Sequence, residues 1–490
     1  MENKTIFFST YGSWVFGLLI FVTVALNSSA QTATITGNAK TYAGDTLHAY
    51  MIEDFITKQE TEVSAASVDA DGNFTFKIKV SQTSVVYIDL TVFKGIIFVQ
   101  PGKIYEVVLP QKQKIRPDDE LNPFFKPMVF YVKCVNNADD DLNSLIPQFD
   151  REYSRALSII LNSTSGFSKK MTDSIENIIN GKFNTENSFF SDYKNYRFAM
   201  LDYTAYRRKK DDIVTNFFSN KPILTQNPAY ADLFDEMLAN PFSGGPNSVL
   251  AVKGIYSGIY DRSYDKLKRT VTKDSKFKDQ RLADYVILKG LHDSYFSDSF
   301  PKEAIIAVID SFAMMSPNRD FRNIADRMVC SLTKLMIGYP VPQFSLEDVD
   351  GNKYSPAGER GKFIYLTFFN PRSYTALGDF DLIKSIRKEI PPETLQIITI
   401  FVSPNRKDLE NFMRQNPDCN WPVVWYNGDK TLLKDYNIRA YPTYYMINPA
   451  GNLVMNPAPS PTENFGQRLD ALVRNWKIEQ YRTRTSEGLR

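Results

Sequence analysis

The stretch Phe363–Ala376, Phe-Ile-Tyr-Leu-Thr-Phe-Phe-Asn-Pro-Arg-Ser-Tyr-Thr-Ala, leaves few folds open to its chain. Phe363 to Phe369 are all aliphatic, aromatic or β-branched, with Gly361-Lys362 before them and Asn370-Pro371 after. That is the length and composition of a central strand covered on both faces. Beyond it Leu377, Phe380, Ile383 and Ile386, with Leu382 beside them, recur at helical spacing. Either Asn370 or Ser373 can cap the first turn. A strand feeding straight into a helix leaves unpaired amides at the corner, where an anion is stabilised.

Around this corner the chain resembles the thioredoxin-like domain of bacterial envelope thiol-disulfide oxidoreductases. Gly338-Tyr-Pro-Val-Pro-Gln-Phe-Ser-Leu-Glu-Asp-Val-Asp-Gly351 is similar to that family's opening hairpin, and Gly361-Lys362 with the apolar strand is similar to its next element. Tyr436-Asn-Ile-Arg-Ala-Tyr-Pro-Thr-Tyr-Tyr-Met-Ile-Asn-Pro-Ala-Gly451 resembles its substrate loop, with Pro442 where the family has a cis-proline. The resemblance covers roughly the last third of the chain and implies a C-terminal α/β thioredoxin-like fold.

The family's redox pair is missing. Ser373 and Ala376 fall where the resemblance puts the two cysteines of its Cys-x-x-Cys motif, and Arg372 falls where a tryptophan usually precedes them. Thiol-disulfide exchange needs a thiolate and a second sulfur to resolve the mixed disulfide, and neither serine nor alanine supplies one. Ser373 as a hydrolytic nucleophile would need an adjacent base. The two histidines, His48 and His292, are remote in sequence, so Ser373 is read as a helix cap.

The 490 residues suit several domains. At 43% hydrophobic and 23% charged residues, with a net charge of +2 spread along the chain, neither disorder nor a basic nucleic-acid footprint is indicated. Residues 1–30 read as a signal peptide: Lys4, an apolar run from Trp14 to Leu26, then small residues ending at Ala30. That run is short for a membrane span, and nothing after Ala30 is apolar for long enough to make one. Cys134, Cys330 and Cys419 form no close pair; in an exported chain an odd count leaves a thiol over, and Cys419 lies in the thioredoxin-like region. Two histidines and three dispersed cysteines offer no zinc site, and no cofactor is expected.

In chain order, residues 31–110 read as an all-β, sandwich-like module. Period-2 segments such as Thr32–Thr36 and Phe74–Val80 alternate with turn clusters such as Asp69–Gly72. His48 lies in one such strand and reads as a structural or surface residue. Residues 111–333 change to helical periodicity, with stripes such as Leu142, Ile146, Phe149, Tyr153 and Phe189, Tyr193, Tyr196, Met200, an α-helical domain. Arg207-Arg-Lys-Lys210, followed by Asp211-Asp212, reads as a solvated helix face, His292 as a core histidine, and Ser243–Asn247 as a loop and no phosphate cradle. Residues 334–480 are the thioredoxin-like domain and 481–490 a polar, frayed tail.

The expectation is an exported, redox-inactive protein of the periplasm or cell envelope that binds a protein or peptide, or acts like a chaperone, and is not an enzyme. Its surface would be Arg372, Ser373 and Tyr374 facing Tyr441, Pro442 and Thr443, because the family's loop holds polypeptide through backbone bonds that need no cysteine. Two alternatives stay open: a thiol-disulfide oxidoreductase using Cys419 or a partner's cysteines, and a structural or glycan-handling envelope protein working through the β-module.

Overall fold

The computed structural model describes residues 30–136, 138, 140–162, 169–243 and 252–487. The expected signal peptide and all but the first residue of the Ser243–Asn247 loop lie outside these, apart from Ala30.

Among the described residues nine strands come first: β1 (Gln31–Asn38), β2 (Thr46–Ile52), β3 (Glu60–Ser67), β4 (Asn73–Val80), β5 (Ser84–Leu90), β6 (Phe93–Val99), β7 (Ile104–Val108), β8 (Met128–Tyr131) and β9 (Lys133–Cys134). They form two sheets, β4-β1-β7-β9 and β3-β2-β5-β6-β8. Strict alternation in β4 turns Phe74, Phe76, Ile78 and Val80 inward and leaves Asn73, Thr75, Lys77 and Lys79 in water. Those inward residues meet Leu47, Ala49, Val86, Ile88 and Ile97 of the facing sheet in one core. β8 and β9, which complete both sheets, follow Pro110, where the all-β module was expected to end. A connection containing the short helix α1 (Pro117–Glu120) separates them from β7, and so long a loop hides their partnership from local pattern.

Helices follow: α2 (Leu142–Leu161), α3 (Lys169–Lys182), α4 (Ser188–Thr204), α5 (Lys210–Ile213), α6 (Pro228–Met237), α7 (Val252–Tyr260), α8 (Tyr264–Val271), α9 (Gln280–Tyr295), α10 (Lys302–Met315) and α11 (Arg319–Thr333). Their apolar stripes make one core, with Tyr193 and Tyr196 buried in it, and Val85 and Phe98 of the second sheet join from its outer face. The Asn143 side chain continues the sheet hydrogen bonding, accepting from Phe98 N at 2.8 Å and donating to Phe98 O at 2.9 Å.

Two expectations in this region need correction. Arg207 is not part of a solvated face answered by Asp211 and Asp212, although Arg208 and Lys209 are exposed. Arg207 pairs with Asp173, Glu176 and Asp202, and Arg208 with Asp202, because the turn after α4 folds back on α3. His292 is half-buried at the end of α9, beside Asp293 and edge-on to Phe296, and not in the core.

The remaining chain holds β10 (Leu346–Glu347), β11 (Lys353–Tyr354), β12 (Phe363–Phe369), α12 (Tyr374–Glu389), β13 (Leu395–Phe401), α13 (Arg406–Gln415), β14 (Val423–Trp425), α14 (Lys430–Asp435), β15 (Thr443–Ile447), β16 (Leu453–Met455) and α15 (Phe465–Glu487). The sheet runs β14-β13-β12-β15-β16: β12, β13 and β14 are parallel, while β15 and β16 are antiparallel to their neighbours. All seven residues of β12 are buried, and alternation splits them. Ile364, Leu366 and Phe368 face one core with Leu433 and Tyr436, and Phe363, Tyr365 and Phe369 face another with Phe380, Leu409 and Phe465. Burying each such side chain contributes roughly 1.5–3 kcal/mol, so the corner at the end of β12 is rigidly held. α15 runs on through Glu487 where a frayed tail from Tyr481 was expected. Among the described residues no helix is long and apolar enough to cross a membrane.

Candidate functional site

β12 ends at Phe369, and the chain turns through Asn370 and Pro371 into α12. Both candidate caps are used, at successive steps. Asn370 Oδ1 accepts from the Arg372 amide at 2.8 Å, shaping the turn, and Ser373 is the N-cap, its Oγ accepting from the Ala376 amide at 3.3 Å. That leaves the first-turn amides of Tyr374 and Thr375 without an acceptor among the described residues.

The same Ser373 hydroxyl donates to the Tyr441 carbonyl at 3.1 Å. The hydrogen-bonded corner therefore touches the loop before β15, which contains the cis Tyr441–Pro442 bond. The structure thus brings Ser373 of one expected wall against Tyr441 of the other, next to Pro442. Arg372 and Tyr374 are exposed beside Ser373, Tyr374 at 92%, and Thr443 is half-buried and bonds back to Ala440 O at 2.6 Å. Tyr441 packs its ring against the core on the β13–α14 side, where its hydroxyl is buried without a partner among the described residues.

Ser373 is poorly placed to act as a nucleophile. Its proton goes to a backbone carbonyl, which is no base, while His48 pairs with Glu62 on the β-module and His292 sits on α9. Ala376 is buried against Phe380 and Trp421. α12 corrects one detail of the periodic reading: Leu377 and Leu382 are partly solvent-facing, and the inward positions belong to Ala376, Asp379, Phe380 and Ile383.

A feature that the sequence reading missed lies behind the corner. Asp379 is buried and accepts from the Tyr444 hydroxyl, whose ring stacks on Tyr365 at 5.4 Å, and Tyr365 donates to Pro459 O at 2.7 Å. Burial first, and then the bond to Asp379, pushes the Tyr444 hydroxyl far above the usual tyrosine range, so it stays a donor. An acidic residue amid the apolar positions of α12 was the available signal.

The thiols stand apart from the corner. Cys330 is exposed on α11, and Cys134 is on β9. Cys419 is half-buried between α13 and β14; its Sγ donates to Trp421 O at 3.7 Å, and burial pushes the thiol up to about 11. Among the described residues no group of three or more His, Cys, Asp or Glu side chains is placed to hold a metal.

No family model matches the chain. The thiol-disulfide oxidoreductase ResA of Bacillus subtilis is 27% identical over 128 residues, 26% of this chain and 70% of ResA. The thioredoxin-like protein YneN of the same organism is 24% identical over 115 residues, 23% of this chain and 66% of YneN. A crystal structure of a thiol-disulfide oxidoreductase from Bacteroides vulgatus aligns over 28% of this chain and 98% of its own, at 21% identity and a TM-score of 0.27. Over about a quarter of its length, then, the chain is similar in sequence to thiol-disulfide oxidoreductases and thioredoxin-like proteins.

Proposed function

We propose that the protein is an exported, redox-inactive thioredoxin-like component of the cell envelope that holds a polypeptide in the cleft between Arg372, Ser373 and Tyr374 on one wall and Tyr441, Pro442 and Thr443 on the other. The observation that carries this reading is the 3.1 Å bond from Ser373 Oγ to Tyr441 O. At a position where the resembled enzymes have sulfur, this chain has a hydroxyl that ties the walls together. A carbonyl has two lone pairs, so Tyr441 O keeps one for a partner's amide, and the α12 amides at Tyr374 and Thr375 offer two donors to its carbonyls. Export rests on the charged and apolar pattern before Gln31.

The oxidoreductase alternative through Cys419 is disfavoured by the burial that raises its thiol, since exchange runs through the thiolate. The test is fluorescence anisotropy of a labelled, permanently unfolded polypeptide titrated with the full chain. Saturable binding, weakened by Tyr374→Ala without loss of thermal stability, supports the reading. Binding that is indifferent to Tyr374→Ala and Tyr374→Asp removes the cleft as its site.

A further inference from the structure

We propose that the cleft selects an acidic polypeptide segment, gripped by two guanidinium groups on its opposite walls, Arg372 and Arg439. This rests on the reading of the cleft as a polypeptide site and adds the chemistry of the partner. Arg372 immediately precedes the Ser373 cap, and Arg439 lies two residues before Tyr441, whose carbonyl Ser373 touches. Both arginines are exposed, and among the described residues neither has a carboxylate within ion-pair range.

Arg439 is held ready. Its guanidinium lies over the Phe124 ring, 4.6 Å from the centroid, and its Nε donates to Asn437 Oδ1 at 3.0 Å. Phe124 comes from the connection between β7 and β8, which also sends Leu121 against the thioredoxin-like core. With one face stacked and Nε satisfied, the two terminal nitrogens keep their donors, in the planar fork that matches a carboxylate. A side chain already fixed in place loses little entropy on binding. Two acids of α12 are already engaged: Asp379 accepts from Tyr444, and Asp381 pairs with Lys384. The first turn of α12 carries no acidic residue. Two exposed cations without a carboxylate partner among the described residues, one next to Ser373 and one two residues before the Tyr441 that Ser373 touches, are complementary to a segment that alternates carboxylates with small residues.

The test uses the full chain and two labelled peptides of roughly twelve residues, one alternating Glu with Ser and the other Gln with Ser, in about 20 mM and about 500 mM salt. The Glu peptide is expected to bind about tenfold tighter at low salt, with most of the difference lost at high salt. Arg372→Ala and Arg439→Ala should each weaken it roughly three- to tenfold, Phe124→Ala should weaken it by loosening Arg439, and Arg439→Lys should restore only part. Equal binding of both peptides overturns the selection and leaves the cleft reading standing if Tyr374→Ala weakens both. Tight Glu-peptide binding that ignores both arginine variants also overturns it, as does failure of both peptides while the unfolded polypeptide still binds. If nothing binds, the cleft reading falls as well.

Discussion

The Ser373 hydroxyl sits between two backbones, accepting from Ala376 N at 3.3 Å and donating to Tyr441 O at 3.1 Å. One small side chain both starts α12 and fastens it to the loop ahead of β15. Ser373→Ala removes a cap and a tertiary bond together, and a cost of about 1–2 kcal/mol in urea unfolding is expected. Ser373→Asn, which keeps a cap acceptor, should recover part of that loss. An unchanged unfolding midpoint for Ser373→Ala would show that the bond contributes nothing.

If Ser373 and Ala376 occupy the places of the redox pair, Ser373→Cys with Ala376→Cys should close an internal disulfide under mild oxidation. Intact mass should fall by about 2 Da, with the bond mapped to that pair by non-reducing digestion. Two persistent thiols there would mean that the correspondence is misplaced.

Cys419 should be slow and Cys330 fast. Burial lifts the Cys419 thiol to about 11, whereas Cys330 is exposed on α11. Native labelling with an alkylating reagent near pH 8, followed by peptide mapping, should modify Cys330 first, and insulin reduction by the protein should not exceed the dithiothreitol background. Turnover abolished by Cys419→Ser would contradict the redox-inactive reading.

Asp379 depends on its donor. Tyr444→Phe keeps the packing against Tyr365 but leaves the buried carboxyl without the phenol bond, a loss of about 1–3 kcal/mol. Thermal unfolding of Tyr444→Phe beside Asp379→Asn measures it, and wild-type stability in Tyr444→Phe would show the carboxyl satisfied elsewhere.

Glu176 makes stability depend on pH. Burial first, then the Asp202 charge, pushes its carboxyl from 4.5 up to about 7, against the opposing pull of Arg207. The folded state therefore holds the proton more tightly than the unfolded chain does. Its contribution is complete below about pH 4.5 and is lost as pH rises through about 7. Glu176→Gln should flatten that part of the stability profile, and a profile identical to wild type would contradict the assignment.

The corner was legible in sequence because everything it needs is local. Seven buried residues announce β12, a serine announces the cap, and the loop at Pro442 is recognised by its neighbours. What stayed hidden depends on distance along the chain. β8 and β9 are short and join their sheets across a long connection, and β14 spans only Val423–Trp425, too few residues to show a period. Arg207 looked solvated because its partners Asp173 and Glu176 lie 34 and 31 residues upstream, and no neighbouring charge betrays them. The platform under Arg439 comes from Phe124, more than three hundred residues earlier.

The most direct test of the cleft is hydrogen exchange on the full chain with and without a saturating unfolded polypeptide. Slowed exchange is expected at Tyr374, Thr375 and the 439–444 stretch, with β1 to β9 unaffected. Protection confined to the β-module, with none at that corner, would contradict it.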